Sequence, residues 1–140
     1  MRRGDRTAVR ICGAVALLGM GAVHLQQYIG AEYSELPTIG TLFVLNFAGA
    51  VVLAAGLTLP VGRLARAAGD RLVSLFALAG AAMAAASIAF LLVSEQTQLF
   101  GFMEDGYGTP VVIALASEGA AVLLLGAYLL GEFSGWRRER

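Results

Sequence analysis

The chain is poor in the residues on which most soluble chemistry depends. Its 140 residues contain one cysteine, Cys12, one histidine, His24, and no lysine, and only 14% are charged. A lone cysteine cannot pair within the chain, which excludes a disulfide scaffold and thiol–disulfide exchange of the vitamin K reductase kind. A lone histidine cannot ligate a haem from both sides. Neither a Gly-rich phosphate loop nor a zinc-protease helix motif occurs, and no Ser–His–Asp set is evident. Soluble domains carry about 25% charged residues, and a small one needs polar groups over a large surface. The shortage of charge therefore excludes an ordinary soluble domain, a disordered chain and a nucleic-acid binder.

What the chain has instead is apolar length. Hydrophobic residues make up 58%, and the mean hydropathy is +0.74. Residues 11–31, 36–62 and 72–94 contain no Asp, Glu, Lys or Arg, and residues 106–131 contain only Glu118. A spanning helix needs about 20 mostly apolar residues, whereas membrane strands are shorter and alternate in polarity. The runs do not alternate, and they are rich in Ala, Leu and Gly. They predict an all-α, polytopic membrane protein with spans near 9–30, 39–60, 71–93 and 110–131. Short links predict an up-down-up-down bundle, with residues 1–140 forming one domain. The basic start resembles a signal peptide, but its apolar stretch outruns a normal signal core, so the first helix is expected to be retained.

Charge predicts orientation. All ten basic residues are arginines. Arg2, Arg3, Arg6 and Arg10 precede the first span, Arg63, Arg66 and Arg71 lie between the second and third, and Arg137, Arg138 and Arg140 follow the fourth. The other links carry Glu32 and Glu35, then Glu95, Glu104 and Asp105. By the positive-inside rule both termini are cytoplasmic and the acidic links face outward. So strong a bias counts against dual topology. Phe133 and Trp136 at the inner edge, and Tyr28 and Tyr33 at the outer edge, suit interfacial anchors. Gly13, Ala16 and Gly19, with Gly80, Ala81, Ala84 and Ala85, predict close helix packing; a homo-oligomer face is compatible with this but not required. Gly49-Ala50-x-Val52-Leu53-x-x-Gly56 recurs as Gly119-Ala120-x-Val122-Leu123-x-x-Gly126 at an offset of 70 residues. The match suits a duplicated hairpin, and equally the composition of any such helix.

Polar residues within hydrocarbon are costly and face the bundle interior. His24, Asn46, Ser87 and Glu118, one per helix, each fall roughly 9–12 Å below the outer surface at 1.5 Å per residue. Together they predict one polar layer in the outer half of the bundle. Tyr28 follows His24 by four residues and would close such a site from above. Ala114 and Ala121 leave room beside Glu118. The outer link from Glu95 to Thr109 is read first as interfacial, and alternatively as a lid bringing Glu104 to the pocket. For Glu118 three readings stand: a proton-carrying or cation-binding acid, a metal ligand with His24, or a structural acid bonded to His24 or Asn46. Two ligands fall short of the three zinc normally takes from protein, so no metal is assigned and the cofactor is left open.

The segment from His24-Leu25 through Tyr28, then Leu36-Pro37-Thr38-Ile39-Gly40-Thr41-Leu42-Phe43-Val44-Leu45-Asn46, with Leu99-Phe100-Gly101-Phe102-x-Glu104 and Glu118, resembles a family of small four-helix membrane proteins of actinobacteria. The resemblance spans most of the chain and implies topology and bacterial origin, but no mechanism. The stretch Ala116 to Gly126 is also similar to DoxX-like four-helix proteins over a short length. An all-Arg, Ala-rich composition suits a GC-rich bacterial genome and a bacterial plasma membrane. The leading expectation is a non-enzymatic protein that binds a small molecule, lipid or membrane partner through His24, Tyr28, Asn46, Ser87, Glu118 and Glu104. The alternatives are a small proton-coupled transporter using Glu118, and a quinone- or metal-linked redox accessory protein.

Overall fold

The computed structural model describes residues 3–30, 33–60, 67–100, 103 and 106–136. Four helices make up the fold: α1 Arg3–Gly30, α2 Pro37–Thr58, α3 Ala67–Ser94 and α4 Thr109–Trp136, with a 3-10 turn at Tyr33–Glu35 between α1 and α2. No strand occurs among the described residues. Each helix holds a stretch long and apolar enough to cross a membrane: Gly4–Gly30, Pro37–Thr58, Gly69–Ser94 and Thr109–Glu132. The expected Glu104 and Asp105, along with Arg2, Glu32, Arg63, Arg66, Arg137, Arg138 and Arg140, lie outside the described residues, as do the side chains of Phe133 and Trp136.

The helix ends follow from local chemistry. Pro37 opens α2, where its missing N–H leaves no hydrogen bond unmade, so α2 starts two residues before the expected 39. Its other end falls at Thr58 because Pro60 forces the preceding residue out of the helical region. Leu59 accordingly has φ −63° and ψ 149°. Pro110 sits in the first turn of α4 in the same tolerated way. In contrast, α1 and α4 overrun the expected spans at their arginine-rich ends. The overrun lets Arg6 reach Glu132 across the bundle at 3.0 Å.

Chain neighbours pack together, and α1 also packs along α4, closing a ring of four; α1 and α3 scarcely touch. The thinnest seam between neighbours is α2 against α3. The centre is a dry layer in which Leu17, Met20, Leu57 and Leu125 are fully buried, filled out by Ala50, Ala77, Ala84 and Ala121. Small residues set the helix spacing. A Cβ on Gly21 would stand 2.8 Å from Ala50 Cβ and 3.3 Å from Phe47 Cα, so α1 and α2 meet almost backbone to backbone. A Cβ on Gly80 would press on Leu17 and Leu125. Gly19 and Ala85 are exposed and take no part in this core. The glycines of the apparent repeat behave differently from each other. Gly49 and Gly56 face Met83 and Phe76 of α3, whereas Gly119 and Gly126 meet nothing within 4 Å. The repeated letters do not do one repeated job.

The outer faces are largely apolar. Ile29, Leu123 and Leu130 are each more than 70% exposed. Around a water-soluble bundle such a belt would drive association; in a lipid bilayer it meets its natural solvent.

Candidate functional site

His24 is the hub of the polar layer. Its Nδ1 donates to the Met20 carbonyl, one turn back, at 2.9 Å. A carbonyl can only accept, so this bond places a proton on Nδ1. In the neutral ring Nε2 is then an acceptor 3.3 Å from the Ser87 hydroxyl, whose single proton serves either this nitrogen or the Glu118 carboxylate. Glu118 Oε1 lies 3.8 Å from the same Nε2. In the imidazolium form Nε2–H can face that carboxylate instead. The ring is held edge-on to Phe43, with centroids 4.9 Å apart at 87°, and Phe43 in turn packs on Tyr33 at 5.0 Å.

These side chains border a cavity of about 320 Å³ whose walls include His24 and Gln27 of α1, Asn46 of α2, Ser87 of α3 and Glu118 of α4. Counted from the helix ends in the structure, the four polar residues sit six to nine residues deep, or roughly 9–14 Å. Sequence depth arithmetic thus places all four in one layer, and the structure brings them to one cavity. Asn46 and Glu118 are deeper than expected because α2 and α4 begin earlier.

Two polar atoms in this wall are unsatisfied. Glu118 is 2% exposed, yet its Oε2 has no hydrogen-bond partner, and Asn46 Oδ1 is buried without one as well. Buried polar atoms are almost always paired, because stranding one costs about 1–3 kcal/mol and more for a charged group. Both residues border the cavity, so a molecule there needs only a small side-chain turn to complete them. Ser117, next to Glu118, is spent locally: its hydroxyl donates to the carbonyls of Ile113 and Ala114.

Two features differ from the sequence expectation, and a third lies outside the described residues. Tyr28 is not on the cavity wall; it lies over Gly40, where a Cβ would come within 3.2 Å of its ring. The short link folds the start of α2 against that face of α1, and Tyr33 of the turn borders the cavity instead. Ala114 borders the cavity as expected, but Ala121 is fully buried in the dry layer below. Glu104 lies outside the described residues, while Leu99 of the same link reaches the cavity and Phe100 and Met103 stay exposed. Phe43 and Phe90 complete the wall. The signal for both was spacing, since each stands three residues from a polar member, Asn46 or Ser87, on the same helical face.

Just before α4 the outer link is tied back to the end of α3, where the Tyr107 hydroxyl donates to Glu95 Oε2 at 2.7 Å. This bond to a carboxylate, with a smaller contribution from desolvation and the neighbouring negative charge, raises the Tyr107 pKa above the usual 10.0. His24 and Glu118 offer a metal two ligands, and among the described residues no group of three or more His, Cys, Asp or Glu comes together. No family model matches the sequence, and no curated protein or solved structure matches it.

Proposed function

We propose that this protein is a non-enzymatic binder of a small amphiphilic molecule, held in the outer half of a four-helix bundle in a bacterial plasma membrane. The observation that carries the reading is Glu118 Oε2, buried without a partner on the wall of a cavity large enough for a ligand headgroup. A structural acid would be expected to have spent both oxygens on its neighbours. Glu118 leaves one buried without a partner, and Asn46 does the same from α2.

The proposed orientation is up-down-up-down with both termini cytoplasmic. The one-sided arginines support the terminus placement. Pairings support the alternation: Arg6 near the start of α1 meets Glu132 near the end of α4, while His24 near the end of α1 meets Glu118 in the first half of α4. On this reading the cavity lies on the outer side. The resemblance to small actinobacterial four-helix proteins belongs to the same proposal and accounts for the topology alone.

The test is native mass spectrometry of protein extracted gently from its own membrane. The expected result is a defined small-molecule adduct that is absent from a His24→Ala, Glu118→Gln double variant of equal thermal stability. Finding the chain only in a larger assembly of other polypeptides, with no small adduct, would reject the reading and make the polar layer structural.

A further inference from the structure

The cavity has a mouth, and the mouth faces lipid. Among the described residues on its wall, the exposed ones are Leu42 and Leu45 of α2 and Ala86 and Phe90 of α3; those from α1 and α4 are all buried or half-buried. The same two helices form the thinnest seam of the ring. Leu45 is eight residues into α2, about 12 Å from its start, so the opening lies within the apolar span. Above the cavity, Tyr33 and Leu99 are half-buried on its wall. An occupant therefore meets the site from the hydrocarbon, head first, with its tail left in the α2–α3 seam.

The unsatisfied atoms define the head. With Glu118 ionised, its Oε2 and Asn46 Oδ1 both accept, so a head that donates twice completes them. In neutral His24 the Nδ1 proton goes to Met20 and Nε2, beside Ser87, can only accept. An ionised carboxylate in hydrocarbon requires a counter-charge. A quinone presents only carbonyl acceptors and completes neither atom. A single hydroxyl donates once and carries no charge. A primary ammonium brings up to three N–H donors and the positive charge that neutral His24 does not supply. Resting on the binding function proposed above, we infer that the occupant is a lipophilic primary amine, which enters sideways between α2 and α3 and sets its ammonium against Glu118 and Asn46.

The test uses full-length protein in lipid nanodiscs and dodecylamine carrying a diazirine at the far end of its chain. Light should attach the probe to the α2 and α3 segments bordering the mouth. Unlabelled dodecylamine should compete at low concentration, and dodecanol and dodecanoate should not. Glu118→Gln should weaken amine competition about a hundredfold, as expected for stripping the partner from a buried charge. Ala86→Trp, which fills the mouth, should abolish labelling of the seam. If Glu118→Gln loses its cooperative melting transition, Asn46→Leu provides the second reading and should weaken competition by dodecylamine while dodecanol and dodecanoate still fail to compete. Equal competition by dodecanol, or labelling indifferent to both polar substitutions, would overturn the amine assignment while leaving the pocket intact. Unchanged seam labelling in Ala86→Trp would overturn lateral entry. Labels scattered over all four helices, with no competition by any probe, would reject the binding function itself.

Discussion

Replacing Gly21 by alanine adds one methyl group where α1 and α2 pack nearly backbone to backbone, and its effect should reach the polar layer. The new Cβ would lie 2.8 Å from Ala50 Cβ and 3.3 Å from Phe47 Cα. Comfortable carbon–carbon contact begins near 3.5 Å, so the helices must part by roughly 0.7 Å. Neither obstacle is a flexible side-chain tip that could swing aside; one is a backbone atom and the other is fixed to it. A gap of that size forfeits about a quarter to a half of the attraction for each atom pair along the seam. Overpacking of this kind costs about 1–3 kcal/mol. His24 lies three residues along the same helix, and its 3.3 Å contact with Ser87 has little slack before it ceases to be a hydrogen bond.

Gly21→Ala should therefore lower the midpoint of SDS-induced unfolding in mixed micelles and also weaken ligand binding. Gly126→Ala is the matched control, because a Cβ there meets nothing within 4 Å. It should stay within about 0.5 kcal/mol of the parent protein. If Gly21→Ala unfolds at the same SDS fraction as Gly126→Ala, close approach of α1 and α2 does not set the bundle. If it is destabilised but binds ligand normally, the seam does not position His24.

Two smaller predictions concern the outer link. Because its pKa is raised, Tyr107 should be among the last of the four tyrosines to ionise in an ultraviolet titration, and Tyr107→Phe should remove that late component. Since the folded value lies above the unfolded one, the bond to Glu95 stabilises fully below about pH 10 and is lost as pH rises through the folded pKa; a titration unchanged by Tyr107→Phe would sink the assignment. Phe100 has φ 55° and a largely exposed side chain, a conformation that costs a side-chain-bearing residue about 1–2 kcal/mol. Phe100→Gly should match or exceed the parent protein in SDS unfolding, and Phe100→Val should fall below both; a valine variant more stable than the glycine variant would show that the backbone there is not strained.

The spans were legible because charge is nearly forbidden in hydrocarbon. Three uncharged stretches and a fourth interrupted only by Glu118 mark the spans, and depth along a helix follows from counting residues. Counting alone puts His24, Asn46, Ser87 and Glu118 in one layer. Rotation about each helix axis was less legible. A soluble helix announces its buried face by alternating polar and apolar sides, but α2, α3 and α4 are apolar all round. Their rotation is set by which small residues meet which neighbours, as with Gly21 on Ala50 and Gly56 on Phe76. Such pairings depend on both partners at once. The same limit explains Tyr28. Its spacing from His24 puts both on one side of α1, but the start of α2 covers the outer part of that side, and Tyr33 of the turn takes the place beside the cavity. The lateral mouth was not legible at all, because it is a property of a thin seam rather than of any one segment.

The polar groups are also distributed in a way that weighs between binding and transport. Glu118, Ala121, Leu125 and Tyr128 form one buried stripe along α4. From Glu118 to Tyr128 the stripe runs ten residues, about 15 Å. Between those levels the buried side chains are Leu17, Met20, Ala50, Ala54, Ala77, Ala84, Ala121 and Leu125, none able to carry a proton. A proton released at Glu118 has no relay among the described residues toward the far end of the bundle. Carrying one across would require this close-packed layer to part and admit water, and small buried alanines and glycines leave little room for side chains to rearrange. Binding from the lipid asks for much less. The mouth already opens at the weakest seam, only the polar head needs protein partners, and the dry layer beneath acts as a floor rather than an obstacle. On the proposed binding function, the same layer that makes Glu118 a poor relay suits it to anchoring a polar head from above.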